Sequence, residues 1–367
     1  VTTNYDVIVI GGGAVGSACA WELAVAGRSV LVLERDRPAG EGWRAAAGML
    51  APQVEAEEED PLFELGLAGR ARVAELAGPL RESTGIDIQF WQGGIARIAS
   101  SPARVNELKT RVAWQRQLGH LCDWFDEDEI RARWPWLGPN LGGMWASQEA
   151  AVDPVRLVEA LRADATRLGA RFLTEEAISL ERHGNKITGV TAGSRHSAAE
   201  VVIAAGAWSG NLLGLPRPLS VEPIRGQMAA LPWPPGVEPA IVFGDGGYIV
   251  ARGTDAIVGS TMESAGFAPD VTPAGLAQIL EGVGALCPSW AQFGITRTWA
   301  GLRPVTPDGL PIIGREPRVE GLWYATGHGR NGILFSAITG QLMARLLAGE
   351  NEMEHLHPLR PERFWNW

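Results

Sequence analysis

Residues 5–34 constrain this chain more than any other stretch. YDVIVI is a short apolar run of the kind that forms a strand buried on both faces of a parallel sheet. Gly11, Gly13 and Gly16 follow it in G-x-G-x-x-G spacing. Helical character then runs from Ala14 to Ala26 and stops at Gly27. RSVLVLE reads as a second buried strand and brings Glu34 to its end, eighteen residues after Gly16. Strand, glycine turn, helix and strand make a βαβ unit. The first glycine of such a unit permits a tight turn, the second lets the backbone approach a pyrophosphate, and the third lets helix pack on strand. The helix N-terminus, at Ala14 and Val15, offers its unpaired N–H groups to the phosphates. The Glu34 carboxylate, with Arg35 beside it, suits the hydroxyls of an adenosine ribose. The unit predicts dinucleotide binding on a Rossmann-type domain, and by itself it serves NAD and FAD equally.

Three later features favour FAD. The chain has one such glycine motif, and the remainder is strand-rich rather than a second Rossmann half. VVIAAGAWS (Val201 to Ser209) runs a strand into a glycine turn at Ala205, Gly206 and Trp208, where a second segment closes over a dinucleotide. GHGRNGILFSAITG (Gly327 to Gly340) leads through His328, Gly329, Arg330, Asn331, Gly332 and Ile333 into a helix N-terminus. A reduced flavin is anionic along its pyrimidine edge, and a helix N-terminus stabilises that charge.

Between these landmarks the chain alternates in character. Helical periodicity spans Pro61 to Glu82, and then IDIQF, GGIARIA and GGMWA read as short strands of an antiparallel sheet. A helix is predicted after Asp153, an N-cap followed by Pro154, with a stop at Gly169. AISLERHGNKITGVTA reads as a hairpin, and strands resume from Leu219 to Trp299 around a helix at Pro273 to Leu286. LWYATG is a further buried strand, and the last helix ends at Gly349. The fold class is α/β with an α+β part: a Rossmann-type domain interleaved with an antiparallel-sheet domain.

Composition narrows the functional classes. With 46% hydrophobic and 20% charged residues, the 367-residue chain is globular. A net charge of −10 offers no basic field to draw nucleic acid or an anionic membrane. Cys19, Cys122 and Cys287 are scattered, which fits a reducing compartment and no disulfide framework. His355 and His357 lack a matching ligand pair, so no metal site is expected. The acidic run EAEEED (Glu55 to Asp60) reads as a solvated loop. The glycine-rich stretch Val7 to Trp21 is too short, and lacks the basic lead, to be a signal peptide or membrane span. A cytoplasmic protein is expected. The fifteen tryptophans, with WPW at 134–136 and FWNW at the C-terminus, read mainly as packing and interface surface, with one or two available to a flavin site.

The set GGGAVG, LERD, AAAGMLAP, GYIVAR, STMES, WAGLRPVTPDGLPIIG and TGHGRNGILFSAITG, in that order, resembles the glycine oxidases of thiamin biosynthesis, within the D-amino-acid oxidase family of flavoproteins. The resemblance spans essentially the whole chain. It implies a discontinuous FAD-binding domain (1–85, 147–218 and 300–350), a substrate-binding domain (86–146 and 219–299) and a C-terminal tail (351–367). It also implies non-covalent FAD, since Cys287 sits in a helix-end context and no cysteine occurs in WYATGHGRNG. Ala46, Ala47, Gly48 and Met49 are expected near the isoalloxazine, and Ala177 on the cofactor.

The resemblance further implies that Arg303, in WAGLRPVTPDG, binds the substrate carboxylate, a task its planar guanidinium suits. Tyr248 donates to the same carboxylate, Arg330 lies beside substrate or flavin, and Met262 lines the pocket wall. The amine binds neutral and no catalytic base is required: the Cα hydrogen leaves as hydride to flavin N5. The imine gives glyoxylate and ammonia or passes to thiazole formation, and dioxygen becomes hydrogen peroxide. His328 is read as structural before any part in oxygen chemistry. Glycine, sarcosine and D-alanine are the expected substrates, and a homo-oligomer, dimer or tetramer, is implied. Two other readings stay open: a D-amino-acid dehydrogenase passing electrons to a quinone, and a flavin-binding protein without turnover. The lack of a membrane-facing segment favours oxygen over quinone.

Overall fold

The computed structural model describes residues 4–35, 40–350 and 354–365. Asp36, the first three and last two residues of the expected tail, and the side chain of His355 lie outside the described residues.

The opening unit folds as its sequence dictates. Strand β1 (Asn4–Ile10) leads through the glycine turn into helix α1 (Ala14–Val25), and β2 (Val30–Glu34) returns alongside. β1 and β2 pair in parallel from Val7↔Val30 to Ile10↔Leu33. Val7, Ile8, Val9, Leu31 and Val32 have no solvent exposure, as an apolar run covered on both faces requires. Helix α1 hands over at Gly27, whose φ of +77° favours glycine.

Among the described residues, five parallel strands run inward from one edge of an eight-stranded sheet, in the order Arg171–Thr174, β2, β1, Arg195–Ile203, Leu322–Thr326. The predicted hairpin (Ser179–His183 with Lys186–Thr191) extends one side in antiparallel sense. On the sheet's helical side, the helix Gly332–Leu347 comes so close to α1 that a Cβ at Gly340 would stand 2.7 Å from the Ala18 carbonyl oxygen. The Asp153 carboxylate caps the helix Pro154–Arg167 through the N–H groups of Val155 and Arg156.

Among the described residues the second sheet has nine strands, mostly antiparallel. Glu222–Pro232, Asp255–Gly259, Tyr248–Arg252 and Ile241–Phe243 lie side by side, flanked by Arg297–Val305 at one end and by Ile95–Ile98 and Gly143–Ala146 at the other. Arg297–Val305 is one continuous strand of this sheet, so the boundary expected between residues 299 and 300 falls inside it. Gly40–Glu41, expected with the first domain, pairs in parallel on its edge. IDIQF was expected as a strand and is not one: the Asp87 carboxylate accepts the Gln89 N–H, and Gln89 turns to a φ of +54°. That local turn breaks the extended run, leaving a single bridge between Trp91 and Ala151.

The tryptophans of WPW join Trp145, Trp233 and Trp290 in a core cluster beneath the second sheet. Trp136 stacks on Trp290 at 4.9 Å between ring centroids. Among the described residues no helix is long and apolar enough to cross a membrane.

A Cβ at Gly16 would lie 1.8 Å from the Gly11 carbonyl oxygen. Gly16→Ala therefore forces α1 off the sheet, and we expect it to cost about 3 kcal/mol or more. Thermal unfolding checks this, with a midpoint several degrees below the parent chain expected.

Candidate active site

A cavity of about 800 Å³ lies where the two sheets meet. The glycine turn, the end of β2, the segment 41–49, the turn after Ile203 and the turn 328–333 surround one part of it. Tyr248, Ser260 and Arg303 from the second sheet close the other.

The anticipated residues converge on this one space. Gly11, Gly13, Ala14, Val15, Glu34, Arg35, Ala46, Ala47, Gly48, Met49, Ala177, Ala205, Gly206 and Trp208 all line it. So do Tyr248, Met262, Arg303, His328, Gly329, Arg330, Asn331, Gly332 and Ile333. Gly16 stands behind the wall, packed on Gly11 and Ala204.

Helix capping marks the cavity as an anion site. Helices starting at Pro61, Pro102, Glu127, Pro154 and Pro273 are capped by the side chains of Asp60, Ser101, Asp126, Asp153 and Thr272. Helix α1 and the helix from Gly332 have no side-chain cap and no acidic residue in the first turn. Both N-termini, at Gly13 to Val15 and at Asn331 to Ile333, line the cavity. Free N–H groups and the positive end of two helix dipoles thus point into the same space. This arrangement fits a ligand with a pyrophosphate at one place and a polarisable ring edge at another. At Gly48 the cavity wall packs directly on the chain behind it: φ is +77°, and a Cβ there would meet the Val152 carbonyl oxygen at 2.1 Å.

Glu34 is tied into the turn it faces. Its Oε2 accepts the Gly12 N–H at 2.7 Å, and Arg162 reaches within 3.8 Å of the same oxygen. Trp43 lies against Gly13, and Arg35 stacks over the Trp208 ring at 3.6 Å. None of the three cysteines lines the cavity, and all are buried with free thiols.

On the opposite wall, Arg303 is mostly buried and its partners are neutral. One Nη donates to the Thr261 carbonyl oxygen and the other to the Ser260 hydroxyl, both at 2.9 Å. Burial lowers its pKa from the ordinary value, and a guanidinium stays charged through such a shift. A desolvated cation without an anionic partner favours a carboxylate ligand. The Tyr248 hydroxyl donates to the Met228 thioether at 3.3 Å, a weak acceptor that yields readily to a carboxylate oxygen. Burial raises the phenol's pKa, so it keeps its proton for donation.

Arg330 is engaged differently. Its Nε and Nη lie 3.1 and 2.9 Å from one oxygen of Glu55. Glu55 opens the acidic run that was expected to be a solvated loop. Glu57, Glu58 and Glu59 are exposed as expected, whereas Glu55 lines the cavity with its side chain 14% exposed. The cause is the short helix Pro52–Glu55, held by Glu149, whose buried carboxyl accepts the N–H groups of Gln53 and Val54. Burial pushes Glu149 up to about 8. His328 is buried against the Thr339 hydroxyl at 3.0 Å, and burial pushes it down to about 3, so its imidazole is neutral.

Sequence reasoning missed Trp43, Glu55, Arg97, Ser260 and Gly226. Gly226 matters because Ile224 pairs with Arg303, which sets the arginine diagonally across Gly226 on the same face. A Cβ at 226 would stand 2.0 Å from a guanidinium nitrogen of Arg303.

The chain matches the family described as FAD dependent oxidoreductase over residues 6–346, and it belongs to that family. It is therefore an enzyme whose cofactor is FAD, and the two uncapped helix termini and the cleared glycine turn fit that cofactor. It is 33% identical to the glycine oxidase of Geobacillus kaustophilus (strain HTA426), covering 98% of this chain and 97% of that one. It is 35% identical to the bifunctional protein ThiO/ThiG of Trichormus variabilis over 96% of its own length and 54% of that protein. The crystal structure of the Geobacillus kaustophilus glycine oxidase superposes with a TM-score of 0.93 at 32% identity, covering 100% of both chains.

Gly226→Ala is expected to displace the Arg303 guanidinium while leaving the glycine turn untouched. Flavin content should stay at the parent level, and the affinity for small carboxylates, read from the flavin spectrum, should fall about 10-fold or more.

Proposed function

We propose that this enzyme oxidises glycine and small amines such as sarcosine and D-alanine. Its products are the imine or glyoxylate with ammonia, and hydrogen peroxide from dioxygen. The observation that carries the reading is Arg303, a partly buried cation held by neutral partners beside Tyr248.

Arg303 takes the substrate carboxylate. Its guanidinium has five N–H donors, and the bonds to Thr261 and Ser260 leave others for two carboxylate oxygens. Tyr248 exchanges its thioether acceptor for the same carboxylate. Fixing the carboxylate fixes Cα, which is the orientation the reaction needs. Met49 and Met262 supply apolar wall and limit water around the Cα hydrogen. The amine enters neutral and no base is drawn from the chain: Glu55 is engaged with Arg330, and His328 with Thr339. When bound, FAD supplies the acceptor for the hydride and passes the electrons on to dioxygen.

The segments of the first sheet hold the cofactor and the second sheet presents the substrate, a division near the ranges 1–85, 147–218 and 300–350 against 86–146 and 219–299. Gly11 to Gly16 and Glu34 would hold the adenosine and pyrophosphate, and Ala46–Met49 and His328–Ile333 would hold the flavin ring. The cofactor is held without a thiol link. Three free cysteines are in keeping with a cytoplasmic enzyme. The pairing of functions in the ThiO/ThiG relative supports use of the imine in thiamin thiazole formation.

Oxygen uptake and flavin content of Arg303→Ala test the proposal. Losing two charge-assisted hydrogen bonds, each worth about 1.5–3 kcal/mol, should cut kcat/KM for glycine by about 100-fold or more while FAD persists. Unchanged kinetics would remove the assigned role.

A further inference from the structure

The cavity wall around Tyr248 holds two guanidiniums in different electrostatic states. Arg303 has neutral partners, the Thr261 carbonyl and the Ser260 hydroxyl. Arg330 is neutralised by Glu55, with Nε at 3.1 Å and Nη at 2.9 Å from one carboxylate oxygen. Glu55 is mostly shielded, and Arg330 is about half exposed, with its side chain 54% accessible. Arg97 also lines the cavity, and its Nη1 donates to the Val54 carbonyl oxygen at 2.8 Å, one residue from Glu55. Glu55 is therefore an acidic group set among cations in the substrate space, on a segment anchored from a distance by Glu149.

We infer that Glu55 sets the charge of the substrate: it occupies Arg330 and so restricts the enzyme to amines with one carboxylate. This rests on the reading of Arg303 as the carboxylate binder. A substrate's first carboxylate goes to Arg303, because no anion competes there. A second anionic group extending toward Arg330 meets Glu55 already in place. It must either displace that carboxylate or stay beside it as a like charge in a half-desolvated site. With Glu55 neutral, Arg330 becomes a second anion site, facing Arg303 across the substrate. Selectivity here comes from a repulsive element rather than from a tighter fit to glycine.

Glu55→Gln removes the charge and keeps the shape, and Glu55→Ala removes both. Sarcosine and iminodiacetate are both secondary amines, with one and two carboxylates. We expect the ratio of kcat/KM for iminodiacetate over sarcosine to rise at least 10-fold in each variant, and Arg330→Ala added to Glu55→Gln to abolish the gain. Diglycolate, a dicarboxylate that carries no amine, gives a readout apart from turnover. Its Kd, from the shift of the flavin absorption bands, should fall at least 10-fold in Glu55→Gln relative to that of glycolate. An unchanged or lower ratio in both variants, with flavin content and thermal midpoint at parent level, would overturn the inference. A parent enzyme that oxidises neither glycine nor sarcosine, yet shows the diglycolate switch, would remove the proposed reaction and leave the role of Glu55 standing. If Glu55→Gln loses its flavin, the diglycolate affinities of Glu55→Ala and of Glu55→Ala with Arg330→Ala decide the matter. Under the inference Glu55→Ala tightens diglycolate at least 10-fold and Arg330→Ala added to it abolishes that gain, and a gain that survives the loss of Arg330 overturns the inference.

Discussion

The contact between α1 and β1 at the glycine turn is the constraint on which the site depends. Gly16 sits so close to the Gly11 carbonyl that no side chain fits between them. That closeness brings the helix start to the sheet's edge with its N–H groups uncapped. The sequence supplies no Ser, Asp or Thr to satisfy them, although it does so for helices that begin elsewhere in the fold. Unsatisfied donors are tolerated where a ligand completes them. The same holds at Gly332, where the last long helix begins without a side-chain cap and packs along α1 through Gly340. Two helices packed on one another therefore direct two positive ends into a single cavity.

The second sheet carries the residues proposed to select the substrate. Its strands Glu222–Pro232 and Arg297–Val305 pair so that Arg303 lies across Gly226, and the turn after Gly259 supplies Ser260 and Thr261 as neutral partners. Burying a guanidinium in this way costs free energy that the native fold does not recover by an ion pair. A carboxylate ligand recovers it. Arg330, in contrast, has its charge answered by Glu55 before any substrate arrives. The two arginines differ in their partners, which their local sequences do not show.

Legibility followed the range of the interactions. β1, α1 and β2 were readable because strand burial, glycine spacing and the stop at Gly27 are local signals. Asp153 and Pro154 announced their helix for the same reason, and so did the hairpin over residues 179–191. IDIQF misled because its alternation is strand-like, whereas the Asp87 side chain imposes a turn that hydropathy does not register. Glu55 was hidden by its acidic neighbours: its burial depends on Glu149, distant in sequence, and on Arg330, farther still. Gly226 was silent because its meaning lies in cross-strand register with Arg303. Motif resemblance named residues that the fold brings to one cavity, many of them in glycine-rich turns with fixed spacing.

The central claim is that a partly buried, uncompensated arginine aligns a small amino acid for oxidation by FAD. Its most direct measurement is the visible spectrum of the purified holoenzyme during titration with glycine in the absence of oxygen. The account predicts that glycine bleaches the flavin bands completely and that admitting air restores them with formation of hydrogen peroxide. Flavin bands that persist in saturating glycine, and equally in sarcosine and D-alanine, would contradict it.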